Sequence, residues 1–339
     1  MKTIRHFEGI DFLRAILSVF VVTWHMEGGG RSLIFSKEYM NHSFMVSDFI
    51  NFHVLLLAVP TFIMISNYIY SLKEDNFEYL KKRLRRLFLI FSFWITVQIL
   101  WESGSHGFIR MIPHSLTSLL IMIFEESGGL FFLICLMITL TATHYIAKCR
   151  TSFVVAGFIL SLICLFAMPV LSKMLAFYPL CAYWNPSNFI PYPFAAVLLV
   201  RLSDHISRLR TIVFISAAIL ALLFSFVEWH IDVGEIFFAG AEHAIPSYAR
   251  VSVLFSAIAL LVIALNHKIK SPNIIKFMSS RSLALYCIHG FFLGYAKDIL
   301  SFHFSSSMIV RYVFIVIIVI SSYLVSLLLR FYIKEEIIW

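Results

Sequence analysis

Arg14 and His25 lie inside one apolar run, FLRAILSVFVVTWHM, where a side chain that carries charge needs a reason. An ionisable group within a membrane segment costs roughly 2.5–3.5 kcal/mol on insertion scales and is a functional candidate by default. On a helix, eleven residues make three turns plus about 20°, so both side chains project from nearly one face, about 16 Å apart along the axis. A guanidinium at one end of that face can hold an anion, and an imidazole at the other can move a proton near neutral pH. Asp11 lies three residues before Arg14, close enough on a helix to pair with it and lower the cost of burying it. The competing reading is an anchor: Asp11 and Arg14 snorkelling to the interface, and His25 bonded to a backbone carbonyl.

The elements that must position these groups follow from composition. The chain has 339 residues, of which 60% are apolar and 14% charged, with a mean hydropathy of +0.88, which identifies a polytopic membrane protein. The 35 phenylalanines are spread along the chain and the long runs lack strand alternation, so the fold class is all-α, a transmembrane helical bundle. Ten apolar segments are long enough to cross, some of them short or broken: 10–26, 49–72, 87–101, 130–147, 153–168, 190–202, 212–229, 251–265, 283–295 and 309–329. A further piece, 113–124, is read as re-entrant or interfacial. The basic start and apolar run of the first 27 residues suggest a signal peptide, but Asp11 and Arg14 interrupt the run and no A-x-A site follows, so an uncleaved first helix is expected.

The formal charge of +8 is not a nucleic-acid signal, because the basic residues cluster between spans. With both termini in the cytoplasm, 18 of the 27 Lys and Arg fall on the cytoplasmic side, including the 73–86 loop, and seven on the other, as the positive-inside rule requires. Glu102, Glu125, Glu126, Glu228, Asp232, Glu235 and Glu242 then fall outside. The five cysteines are scattered singly, so neither a disulfide framework nor a metal is expected. No internal repeat pairs the Arg14/His25 helix with a second copy, which weakens an inverted-repeat transporter.

Several segments, taken in order, resemble the acyltransferase-3 family of integral membrane O-acyltransferases. GIDFLRAILSVFVVTWH is similar to its first helix, with an arginine, ten residues and a histidine after I-D-x-L. VPTFIMISNYIY resembles its second helix, FEYLKKRLRRLFLIF its R-x-x-R segment, GGLFFLICLM its L-W-F-L segment, and SSRSLALYCIHGFF its late S-x-x-x-Y-x-x-H segment. Three departures touch packing: Asn67 where glycine is usual, Phe131 where tryptophan is usual, and Phe88 near an expected proline. The chain ends at Trp339 just after its last helix, so one membrane-embedded domain over 1–339 is expected, without the fused extracytoplasmic domain of some relatives.

The resemblance implies a multi-pass protein of the inner membrane that carries an acyl group, most simply acetyl, from cytoplasmic acetyl-CoA to a hydroxyl of a surface or lipid-linked glycan. Membrane lipids are its other partners. Lys82, Arg83 and Arg86 become candidates for the coenzyme's phosphates, since guanidinium groups suit bidentate recognition; the plain alternative is a topology determinant that binds anionic lipid heads. Arg14 would hold the donor deeper in the bundle, and His25 would act as general base or form an acyl intermediate. Glu27 points about 160° away from His25 on a helix, so an orienting carboxylate must come from elsewhere, with Glu102, Glu125 and Glu126 as candidates, the last two also for contact with the acceptor. Tyr286 and His289, at i and i+3, share a face and are candidates for substrate contact, against the alternative of a satisfied core histidine. The outer-side aromatics Tyr178, Tyr183, Trp184, Tyr192 and Trp229 are candidates for a sugar platform. The competing function is a transporter or exporter of a glycan or small anion, with Arg14 and His25 lining its path.

Overall fold

Helix α1, Glu8–Glu27, opens with Glu8 and Asp11 in its first turn and closes with His25 in its last, an arrangement that complements the helix dipole. This computed structural model describes residues 7–27, 50–73, 77–110, 130–206, 211–228, 248–266, 270–303 and 308–333, and what it describes is helical, with no strand. The other principal helices are α2 (Ala58–Ser71), α3 (Phe77–Arg110), α4 (Phe131–Ile146), α5 (Thr151–Met174), α6 (Pro191–Arg201), α7 (Thr211–Glu228), α8 (Val251–Asn266), α9 (Asn273–Ser280), α10 (Ser282–His303) and α11 (Met308–Tyr332). Five are long and apolar enough to cross a membrane, within α1, α3, α5, α7 and α11; shorter apolar helices occupy Leu55–Ser71, Phe131–Ile146, Val251–Asn266 and Ser282–Ala296.

Two expectations about boundaries are corrected. The apolar segment expected over 49–72 is broken near its start, with a π-turn at Ile50–Val54 and a 3-10 turn at Leu55–Leu57 before α2. Pro60 accounts for the break, because its ring would clash with the carbonyl of Leu56 in a continuous helix, whereas in the first turn of α2 its missing N–H costs nothing. The 73–86 stretch, expected as a loop, is helical from Phe77 onward. Its Lys and Arg residues lower hydropathy but are good helix formers. The piece 113–124 lies outside the described residues.

The chain divides into two compact units, Met1–Asp75 with Thr139–Ser280, and Asn76–Ile138 with Arg281–Trp339. In the first, α1 packs on α2, α8 and α9, α2 also packs on α6 and α8, α5 on α6, and α7 on α8. Gly157 of α5 lies so close to Phe194 of α6 that a Cβ there would collide with the ring, which fixes glycine at that crossing. Helix α7 buries only Ala221, Ser225 and Glu228, spaced i, i+4, i+7, while Ile212, Ile215, Ile219, Leu220, Leu223 and Val227 are exposed. A row of small residues lets α8 approach closely, and the aliphatic remainder is a surface for lipid. In the second unit α10 packs on α11, which buries Ile315, Ile318, Ser322 and Ser326 and exposes Val313, Val316, Ile317, Ile320 and Leu324.

Candidate active site

Along the face of α1 that carries Arg14 and His25, the intervening residues of the same row are Ser18 and Val21, four and seven residues after Arg14. Both are buried, Ser18 at 1% exposure and Val21 at 4%, whereas Ile16, on the opposite side, is 47% exposed. The row therefore faces protein and the lipid side of α1 lies behind it. Arg14 and His25 are each half-buried at the two ends of this row. The imidazole of His25 stands edge-on to the Trp24 ring, 4.9 Å between centroids at 82°. The indole Nε1 of Trp24 is buried without a hydrogen-bond acceptor among the described residues.

What fixes the start of α1 is α9 and the residues just before it. Glu8 accepts hydrogen bonds from the Ser271 amide at 2.7 Å and from Lys276 Nζ at 3.3 Å, and its carbonyl accepts from Ser271 Oγ at 2.8 Å. One turn further on, Asp11 Oδ1 accepts from Ser279 Oγ at 2.8 Å. A carboxylate on the amide that precedes a helix is favoured by the dipole of that helix as well as by the hydrogen bond. Arg14 is the partner expected for Asp11 on the same helix; the bond to Ser279 in addition ties α1 to α9. Ser279→Ala should lower stability by about 1.5–3 kcal/mol, the range for a hydrogen bond to a charged group. A double-mutant cycle with Asp11→Ala, read by thermal melting of the purified protein, checks this; additive losses would deny the contact.

In the second unit, Lys82, Arg83 and Arg86 lie in the early turns of α3, with Lys82 and Arg86 exposed and Arg83 half-buried. The 34 residues of α3 make about 51 Å of helix, longer than a hydrocarbon core of about 30 Å, so its basic turns extend beyond the apolar stretch. Tyr286 and His289 are both buried, their rings 6.0 Å apart, and Tyr286 also lies 5.0 Å from Phe132. His289 Nδ1 donates to the Leu285 carbonyl at 3.1 Å, the arrangement of a satisfied core histidine. Of the outer carboxylates, Glu125 and Glu126 lie outside the described residues, and Glu102 is described only as part of the backbone of α3. Among the aromatics expected as a sugar platform, Tyr192 is fully buried against Phe189, 5.7 Å away, so it is removed from that list. Tyr183 and Trp184 are half-buried, and Trp229 lies outside the described residues.

Several buried polar contacts were not anticipated. Glu228, at the end of α7, accepts hydrogen bonds from the amide of Ser252 at 3.1 Å and from its hydroxyl, and so caps the first turn of α8. Buried Arg250 is within electrostatic reach of this carboxylate and of His53, which is hydrogen-bonded to Ser256 at 3.1 Å. Charge counting places Glu228 among the acids of the outer side. The one sequence signal for Glu228 and Arg250 was their placement, at the end of one apolar run and the start of the next. Asn67, the departure from glycine, accepts from Thr143 Oγ1 at 3.1 Å, and Tyr70 bonds His144 at 2.9 Å one turn along, so the substitution is matched by a partner on α4.

The described residues are helical, and on α1 a cation and an imidazole, both half-buried, share the side of the helix that buries Ser18 and Val21. Residues 7–331 match the family model of the acyltransferase-3 domain, and the chain belongs to that family of membrane acyltransferases. No curated protein and no solved structure matches it.

Proposed function

We propose that this acyltransferase moves an acetyl group from cytoplasmic acetyl-CoA to a hydroxyl of a surface or lipid-linked glycan on the far side of the inner membrane, through a bundle of ten spans with both termini inside. The observation that carries this reading is the row on α1 in which half-buried Arg14 and His25 flank buried Ser18 and Val21. The acceptor hydroxyl attacks the thioester carbonyl while His25 takes its proton, and collapse of the tetrahedral intermediate expels the coenzyme thiolate, which recovers a proton from the imidazolium. Arg14 orients the donor. The Trp24 N–H, beside the imidazole, supplies a donor for the oxygen that becomes negative in the intermediate. Arg83 and Arg86 hold phosphates where α3 leaves the apolar layer.

The test uses purified protein in lipid nanodiscs with radiolabelled acetyl-CoA and de-O-acylated surface polysaccharide from the producing strain. Label should pass to the polysaccharide. If label instead remains on the protein after denaturation, the mechanism runs through an acyl-histidine. If no label leaves the coenzyme, the reading fails and a transport role replaces it. By calorimetry, Arg83→Ala and Arg86→Ala should each weaken coenzyme A binding by about tenfold or more, as loss of a charge-assisted hydrogen bond implies, with a smaller difference at high salt. Unchanged affinity would leave these arginines as contacts for lipid headgroups.

A further inference from the structure

Helix α3 carries Trp94, Gln98 and Trp101 in one row, and α10 carries Phe291, Tyr295 and Asp298 in another, each spaced i, i+4, i+7. The rows meet: Trp94 lies 5.8 Å from Phe291, and Trp101 lies 5.7 Å from Phe291 and 6.0 Å from Tyr295. The contacts run from inside to outside, since Trp94 is 4% exposed while Trp101 and Tyr295 are 58% and 60% exposed. Trp101 stands at 89° and 78° to its two neighbours, so the indole is held by two rings while most of its surface stays open.

The geometry points to this surface as a saccharide-binding platform, with Trp101 and Tyr295 stacking on a pyranose ring and Gln98 and Asp298 bonding its hydroxyls. This rests on the reading of the acceptor as a glycan. The apolar C–H face of a pyranose matches the electron-rich face of an aromatic ring, and a ring already held in place loses little conformational entropy on binding. An amide donates and accepts while a carboxylate accepts, which suits hydroxyl groups. The middle of the exposed faces looks different: α7 exposes Ile212, Ile215, Ile219, Leu220 and Leu223, and α11 exposes Val313, Val316, Ile317, Ile320 and Leu324, with tyrosines only toward the two ends of α11, at Tyr312 and Tyr332. Trp101 lies fifteen residues, or about 22 Å, along α3 from Arg86, at the last residue of the apolar stretch Phe77–Trp101. One helix thus carries the phosphate candidates at one end and the saccharide platform at the other.

The experiment measures release of coenzyme thiol by the nanodisc-embedded protein as de-O-acylated polysaccharide of the producing strain is titrated at fixed acetyl-CoA, with coenzyme A affinity by calorimetry as the control for folding. Trp101→Leu should raise the polysaccharide KM about tenfold, the scale of one lost aromatic contact plus its area, with coenzyme A affinity retained. Trp101→Phe, which keeps a ring, should stay close to the natural protein. Should Trp101→Leu not fold, Tyr295→Leu carries the same expectation. A wild-type KM in the leucine variants would reduce these rings to an interfacial aromatic belt. Equal loss of coenzyme A affinity in the leucine and phenylalanine variants would make Trp101 a packing residue. Both outcomes overturn the platform while leaving the acyl-transfer reading intact; if the natural protein releases no thiol in response to polysaccharide, both readings fall together.

Discussion

His25→Ala should lower acyl transfer by about 10²–10⁴-fold, the usual contribution of a positioned general base, while the protein still inserts and purifies as a folded species. The imidazole lies near the end of α1 and is half-buried, so its removal leaves the packed row of Ser18 and Val21 in place. The fold of α1 depends more on its opposite end, where Glu8 and Asp11 are bonded to α9. His25→Gln should be almost as inactive, because an amide keeps polarity and size but takes no proton at neutral pH. Glycan acetylation in cells expressing each variant, normalised to protein in the membrane, measures the effect. Full acetylation with His25→Ala would remove this residue from the chemistry and leave Arg14 as the one intramembrane candidate on that face.

The second large effect concerns stability. Glu228→Ala should destabilise the protein by about 3–5 kcal/mol, the cost of breaking a buried charged arrangement by removing one partner. Three groups lose their complement at once: the amide and hydroxyl of Ser252, and the buried guanidinium of Arg250. Because α7 buries only Ala221 and Ser225 besides Glu228, other contacts offer little compensation. Glu228→Gln keeps an oxygen acceptor for Ser252 and should cost less. Thermal melting in detergent, together with the fraction of protein recovered as monodisperse material, reads both variants. A melting temperature for Glu228→Ala equal to that of the natural protein would show that the cap contributes nothing.

Much of the architecture was legible because lipid imposes a simple rule: a backbone in hydrocarbon must satisfy its own hydrogen bonds, so each apolar run of sufficient length is a helix. The segments expected at 10–26, 212–229, 251–265 and 309–329 appear within a few residues as α1, α7, α8 and α11. Errors arose where charge or proline overrode hydropathy, as in the basic turns of α3 and the broken start of the second segment at Pro60. The acyltransferase resemblance was also legible, since short motifs in fixed order survive changes of packing, and the family match over 7–331 agrees with it.

The sequence by itself determined the helices, the membrane class, the family, and the common face of Arg14 and His25, because hydropathy and the 3.6-residue period act between near neighbours. Only the tertiary structure decided that this face looks into protein, that Asp11 is held by Ser279, 268 positions away, and that Glu228 caps α8. It alone brought the ring row of α3 against that of α10. Such pairings depend on how helices rotate and pack against one another, and a local pattern gives a helix its buried face without saying whose side chain will meet it.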